Sequence, residues 1–189
     1  MAIYYWSKQM TFAVLALLLA GCSSIPESIQ SSSERPYDRL SQITLIPQVA
    51  LGQEARLGGR VVAVHNENDK TRLVIVSLPL DRWARPQLES VSEGRFIANV
   101  KGFLEPLDFQ GRLVTVVGSV AEMEQGQIGS RPYRFVVINV TGYQRWNETQ
   151  QVILPPGAAD PWGCDWRYRR GWGFGNDRGP ERIETIVTQ

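Results

Sequence analysis

Between Leu57 and Trp146 the chain carries five runs rich in Val, Ile, Leu, Thr and aromatic residues, parted by polar turns or irregular stretches. This spacing constrains the fold more than any other feature. The runs are Leu57 to Asn66, Thr71 to Leu80, Gly94 to Leu104, Arg112 to Met123 and Pro132 to Tyr143, the last continuing towards Trp146. In the third, Phe96, Ala98 and Val100 alternate with Ile97, Asn99 and Lys101, as a strand with one buried face requires. Asn66 to Lys70 is a polar turn, so the first two runs read as an antiparallel hairpin. Gly118 interrupts the fourth run and marks a bulge or sharp bend. Five bent strands within about 90 residues predict an all-β domain, a small five-stranded antiparallel OB-like barrel. A small sandwich is the alternative. The strands hold enough apolar side chains to fill such a barrel without a cofactor.

The flanks differ in character. Met10 to Leu19 is apolar apart from Thr11, shorter than the roughly 20 residues a membrane span needs but suited to the core of an export signal. Leu19, Ala20 and Gly21 then precede Cys22 and match a bacterial lipobox. That match implies cleavage before Cys22, diacylglycerol on its sulfur, and an acyl chain on the new N-terminus. One acyl chain binds a membrane marginally, and two or more hold it stably. A plain secretory signal is the alternative, since Lys8 is the one cationic side chain before the apolar run. Ser23 follows the cysteine. Where lipoproteins of double-membraned bacteria carry Asp, retention in the inner membrane is common; Ser points to the inner leaflet of the outer membrane. The resulting division is signal 1–21, Ser-rich tether 22–36, barrel 37–150 and irregular tail 151–189. Within 37–150, Tyr37 to Ile46 has the spacing of a short helix that Pro47 would end.

The formal charge is +1 and falls to zero once Lys8 is removed with the signal. A neutral chain is poorly suited to nucleic acid, whose binding is driven by phosphate neutralisation. With Cys22 acylated, Cys164 has no partner within the chain for a disulfide.

Several blocks resemble the Slp/YeaY family of outer-membrane lipoproteins. Gly52 to Val61 is similar to its GQxARxGGxV opening, and Leu78 to Asp81 with Ala84-Arg85-Pro86 to its LPLDxxAxP segment. Gly94-Arg95-Phe96, Gly102 to Pro106, Val114 to Gly118, Pro132-Tyr133 and Trp146 follow in the family's order. The resemblance implies an outer-membrane protein linked to starvation or acid stress, with its domain facing the periplasm. It implies no catalytic activity, and no catalytic residue is carried over. It also implies passage through the lipoprotein export machinery and contact with other envelope proteins.

The residues themselves offer little chemistry. His65 is the single histidine, placed at a strand end and without metal-ligand spacing around it. Glu122 and Glu124 could face the same way as a carboxylate pair. Asp81, Glu105 and Asp108 with Arg82, Arg85 and Arg95 could line one barrel rim, the setting for a small-ligand, glycan or lipid site or a weak enzyme. Gly171, Gly173 and Gly175 lie in an aperiodic stretch and do not form a dinucleotide fingerprint. The tail interleaves Trp162, Trp166 and Trp172 with Arg167, Arg169 and Arg170, a combination that suits anionic lipid, glycan phosphate or a protein partner. It is expected to stand apart from the barrel core.

Overall fold

The computed structural model describes residues 25–153 and 182–188. Six strands are present: β1 (Glu54–Asn66), β2 (Lys70–Leu78), β3 (Gly94–Lys101), β4 (Leu113–Ile128), β5 (Arg131–Ile153) and β6 (Arg182–Thr188). The first five coincide with the five runs. Their order is β3-β2-β1-β4-β5, and β3 also pairs with β5, which closes the ring. The closing pair is parallel, Phe96 opposite Val136 to Asn99 opposite Asn139, whereas every other pairing between named strands is antiparallel. The barrel is therefore OB-like in connectivity but not wholly antiparallel. A parallel closure follows because four antiparallel steps, an even number, separate β3 from β5 around the ring.

The interior is filled by its own walls. Leu57, Val61, Leu73, Ile75, Phe96, Ala98, Val114, Val116, Val136 and Ile138 are all essentially solvent-free. β2 shows the cleanest alternation, with Thr71, Leu73, Ile75 and Ser77 buried and the intervening residues half-exposed. The register shifts between Val117 and Gly118, the position where a bulge was expected. A Cβ at Gly118 would collide with the carbonyl of Asn139, so the close approach of β4 to β5 requires glycine there. The short helices Leu40–Leu45 and Pro47–Ala50 bury Leu40, Ile43 and Ala50 in the same core, and the break between them falls just before Pro47 as expected.

Two expectations fail in the flanks. Residues Arg182–Thr188, assigned to an irregular tail, form β6, which pairs with Asn147–Ile153 of β5. The segment is short and rich in β-branched residues (Ile183, Thr185, Ile186, Val187 and Thr188), a signal masked by the Trp-, Gly- and Arg-rich composition before it. The Ser-rich stretch expected to be a solvated tether is docked from Ile25 onwards. It forms a 3₁₀ turn, Glu27–Ile29, and buries Ile29 completely.

These flanks create a second, smaller core on the outside of the barrel wall. Ile29, Ala84, Leu113, Val117 and Trp146 form it, with Ile25, Leu80, Leu88 and Val187 packed around them. At its centre a buried polar relay crosses from wall to cover. The Trp146 indole N–H donates to Thr115 Oγ1 at 3.0 Å, and the Thr115 hydroxyl donates to the Ala84 carbonyl at 2.7 Å. Replacing Thr115 by the isosteric Val leaves a buried donor and a buried acceptor unpaired. Thr115→Val should lose about 1–3 kcal/mol, read as a lower urea midpoint with an unchanged slope, while Thr115→Ser should lose less.

Candidate functional site

The segment Leu78 to Pro86 leaves β2 and folds back across the β1–β4 wall. Leu80 forms an isolated bridge with Pro86 and lies over Gly58, where a Cβ would collide with the Leu80 side chain. Asp81 organises the turn between them. Its Oδ1 accepts the backbone N–H groups of Trp83 and Arg85, both at 2.9 Å, and its Oδ2 accepts Arg85 Nε at 2.9 Å. Ala84 N–H donates to the Asp81 carbonyl, and Ala84 has φ of +62°. A left-handed alanine is uncommon and persists where its surroundings over-determine it. Here the Asp81 turn, the Thr115 hydroxyl and a fully packed Cβ do so.

Arg85 then reaches β6, donating from Nη1 to the Val187 carbonyl at 3.1 Å. Asp81 and Arg85 line an open cleft of about 340 Å³ with Pro86, Gln87, Leu88, Glu89 and residues Thr185 to Val187. On the outer side, the Arg82 guanidinium lies 3.8 Å from the Trp83 ring centre, and that of Arg85 lies 4.5 Å from it. Trp83 is thus stacked against two cations. Arg82 is exposed and has no ion-pair partner among the described residues.

The expected rim is not one site. Asp81 and Arg85 come together, but Glu105 and Asp108 line neither of the two clefts described here. Asp108 lies 3.6 Å from Arg145, both exposed, on the short helix Pro106–Phe109. Arg95 offers its backbone N–H to Tyr133 Oη. Glu122 and Glu124 do not act as a pair, because Arg72 takes Glu124 through two contacts of 2.8 and 2.9 Å. Glu122 lines a second open cleft of about 370 Å³, between Ile43, Pro47 and Leu51 on one side and Met123 and Arg134 on the other. His65 is exposed near the end of β1. Among the described residues, no three His, Cys, Asp or Glu side chains cluster as metal ligands. Leu19, Ala20, Gly21, Cys22 and Cys164 lie outside the described residues, as do Trp162, Trp166, Arg167, Arg169, Arg170 and Trp172.

Sequence pattern also missed the clasp that docks the N-terminal segment. Glu54 accepts Ser31 Oγ at 2.6 Å, the Ser33 amide at 2.7 Å and Ser32 Oγ at 3.1 Å. The Ser31 hydroxyl is the main cause holding the Glu54 carboxyl below its ordinary range, with the Ser33 and Ser32 groups acting in the same direction against partial burial. Arg56 Nε donates to the Ile29 carbonyl at 2.9 Å, and Tyr37 pairs alongside Ala55. Ser28 lies directly on Gly142, where any Cβ would collide with the Ser28 carbonyl. Serines beside a single glutamate carry no local signature of such a clasp.

The described residues define a small β-barrel module, filled by its own walls and clasped by the segment that precedes β1. The comparisons give the family. Residues 19–172 match the model of the outer membrane lipoprotein Slp family, and the chain belongs to that family. It is similar to the uncharacterized lipoprotein YeaY of Escherichia coli K12, 50% identical over 188 residues and 96% of each chain. It is also similar to the outer membrane protein Slp of the same organism, 35% identical over 84% of this chain and 85% of that one. No solved structure matches it. The chain is accordingly an outer-membrane lipoprotein.

Two outcomes follow from this geometry. Asp81→Ala removes three accepted hydrogen bonds and frees Arg85 from the geometry that reaches Val187. It should cost about 1–3 kcal/mol and speed amide exchange in β6 more than in β2. For Glu54, the folded pKa lies below the unfolded value of about 4.3. Its contribution is present above that pH and is lost as pH falls through the folded value. Exchange at the Ser32 and Ser33 amides should therefore rise, relative to the barrel strands, as pH falls below the ordinary carboxylate range. Glu54→Gln should show the raised exchange already at neutral pH.

Proposed function

We propose that this lipoprotein is a non-enzymatic component of the cell envelope. On this reading Cys22 carries diacylglycerol and an N-acyl chain, the protein reaches the inner leaflet of the outer membrane through the lipoprotein export machinery, and its domain faces the periplasm. The observation that carries the non-enzymatic part is the filled barrel. Its interior is closed by its own Val, Ile, Leu and Phe side chains, and Glu54, Asp81 and Glu124 beside it are spent on partners. Asp81 and Arg85 satisfy each other and the backbone of their own loop. An acid or base committed in this way is poorly placed to move a substrate proton, since proton transfer requires a group free to approach it.

Family resemblance supports a link to starvation or acid stress. The Trp- and Arg-rich stretch containing Trp162, Trp166, Arg167, Arg169, Arg170 and Trp172 has the chemistry of a contact with other envelope components rather than with nucleic acid. A second reading rests on the open cleft beside Asp81 and Arg85, whose mixed polar and apolar lining suits a small glycan or lipid fragment.

The reading is tested by intact mass of protein extracted from membranes. The mature chain should begin at Cys22 and carry the added mass of a diacylglycerol and one fatty acyl chain. Cys22→Ala should abolish that mass and leave the precursor unprocessed. Normal processing of Cys22→Ala at the same site would overturn the reading.

A further inference from the structure

We infer that the turn Asp81 to Pro86 rests on the phospholipid headgroups of the membrane that holds the protein, with Arg82 and Trp83 as the contacting pair. The inference depends on the acylated Cys22 proposed above and adds an orientation to it. Its first support is length. Had residues 22–36 been a free tether, the barrel could stand tens of ångströms from the lipid. The chain is instead packed from Ile25, through Ile29, the Ser31–Glu54 clasp and Ser28 on Gly142. Cys22 and Ile25 are three residues apart, and three Cα steps span at most about 11 Å. The diacylglycerol lies at the headgroup boundary, so the surface around Ile25 is held close to the same boundary.

The second support is what that surface carries. Ile25 packs on the outer core that Ala84 closes, so the Asp81 turn belongs to the face nearest the anchor. On that turn, Arg82 and Trp83 make up the outward element. Trp83 is half-buried, Arg82 is exposed, and the guanidinium is stacked 3.8 Å over the ring. Tryptophan favours the membrane interface because its ring is apolar and its indole N–H is polar, and arginine there meets lipid phosphate. Arg85, the second cation on the ring, is already neutralised by Asp81. Among the described residues no carboxylate pairs with Arg82, and its charge faces an anion from outside. Three hydrogen bonds to Asp81 hold the turn, so the pair is presented without first being ordered.

The test uses the full-length lipidated protein in vesicles of phosphatidylethanolamine and phosphatidylglycerol containing a lipid with a nitroxide on its headgroup. The difference in tryptophan fluorescence between wild type and Trp83→Phe isolates Trp83 from the other tryptophans. The expected result is strong nitroxide quenching of that difference signal, with loss of much of the quenching in Arg82→Glu and none in Arg82→Lys. Equal quenching of wild type and Trp83→Phe overturns the inference. Intact mass of the same sample separates the two ideas. An acylated protein with an unquenched Trp83 overturns the docking alone, whereas a protein without acyl mass overturns the anchor and the docking together.

Discussion

The buried hydrogen bond from the Trp146 indole to Thr115, continued to the Ala84 carbonyl, ties the turn after β2 to the barrel wall. Inside the ring, close packing needs no polar contact to settle it. Outside, the wall formed by Leu113, Val117 and Trp146 would be an exposed apolar stripe on an otherwise ordinary barrel. Three separate pieces of chain cover it: the N-terminal segment at Ile25 and Ile29, the turn after β2, and β6. Apolar burial stabilises this cover but does not choose its position, because the hydrophobic effect is non-directional. The relay does choose. It places one carbonyl, on one left-handed residue, opposite one hydroxyl, and a misplaced turn would leave Thr115 and the indole unsatisfied in a dry site. The Asp81 turn and the Arg85 contact to β6 then follow from that placement.

This layering separates fold from attachment. The ring is closed by strand pairing alone, with β3 against β5. The stability of the outer cover is local: one serine clasp, one glycine that admits Ser28, and a small apolar cluster. With Cys22 acylated as proposed, local opening of that cover would lengthen the link between barrel and anchor without unfolding the barrel, because structural units open at free energies of their own. The carboxylate of Glu54 makes such opening easier in acid, the direction in which the Ser31 and Ser33 bonds weaken.

Much of the ring was legible in the sequence because it obeys short-range rules. The period-2 pattern of Phe96, Ala98 and Val100, the polar turn before Lys70 and the bulge at Gly118 are each decided by residues adjacent in the chain. What the sequence concealed is decided by residues far apart. Nothing local tells that Ser31 will meet Glu54, that Ser28 needs Gly142, or that Arg85 will reach Val187. A Ser-rich stretch reads as solvated because its partners lie elsewhere, and Arg182–Thr188 reads as tail because its pairing partner is some 35 residues away, beyond a region of biased composition. The grouping of Asp81, Glu105 and Asp108 failed for the same reason. Placing loop acids on one rim presupposes a barrel with short loops, whereas the loop holding Asp81 folds down the outside wall and leaves the rim.

The family pattern LPLDxxAxP can now be read residue by residue. Leu80 covers Gly58, Asp81 builds the turn, Ala84 presents its carbonyl to Thr115, and Pro86 is buried against Leu80. These four residues each have a task in closing the outer core, so the segment has a structural reason to carry them. The positions the pattern leaves open are Arg82, Trp83 and Arg85, and they are the three side chains of the stack on the outer side of the turn. A relative with other residues at those positions would keep the same turn and present a different face to whatever lies against it.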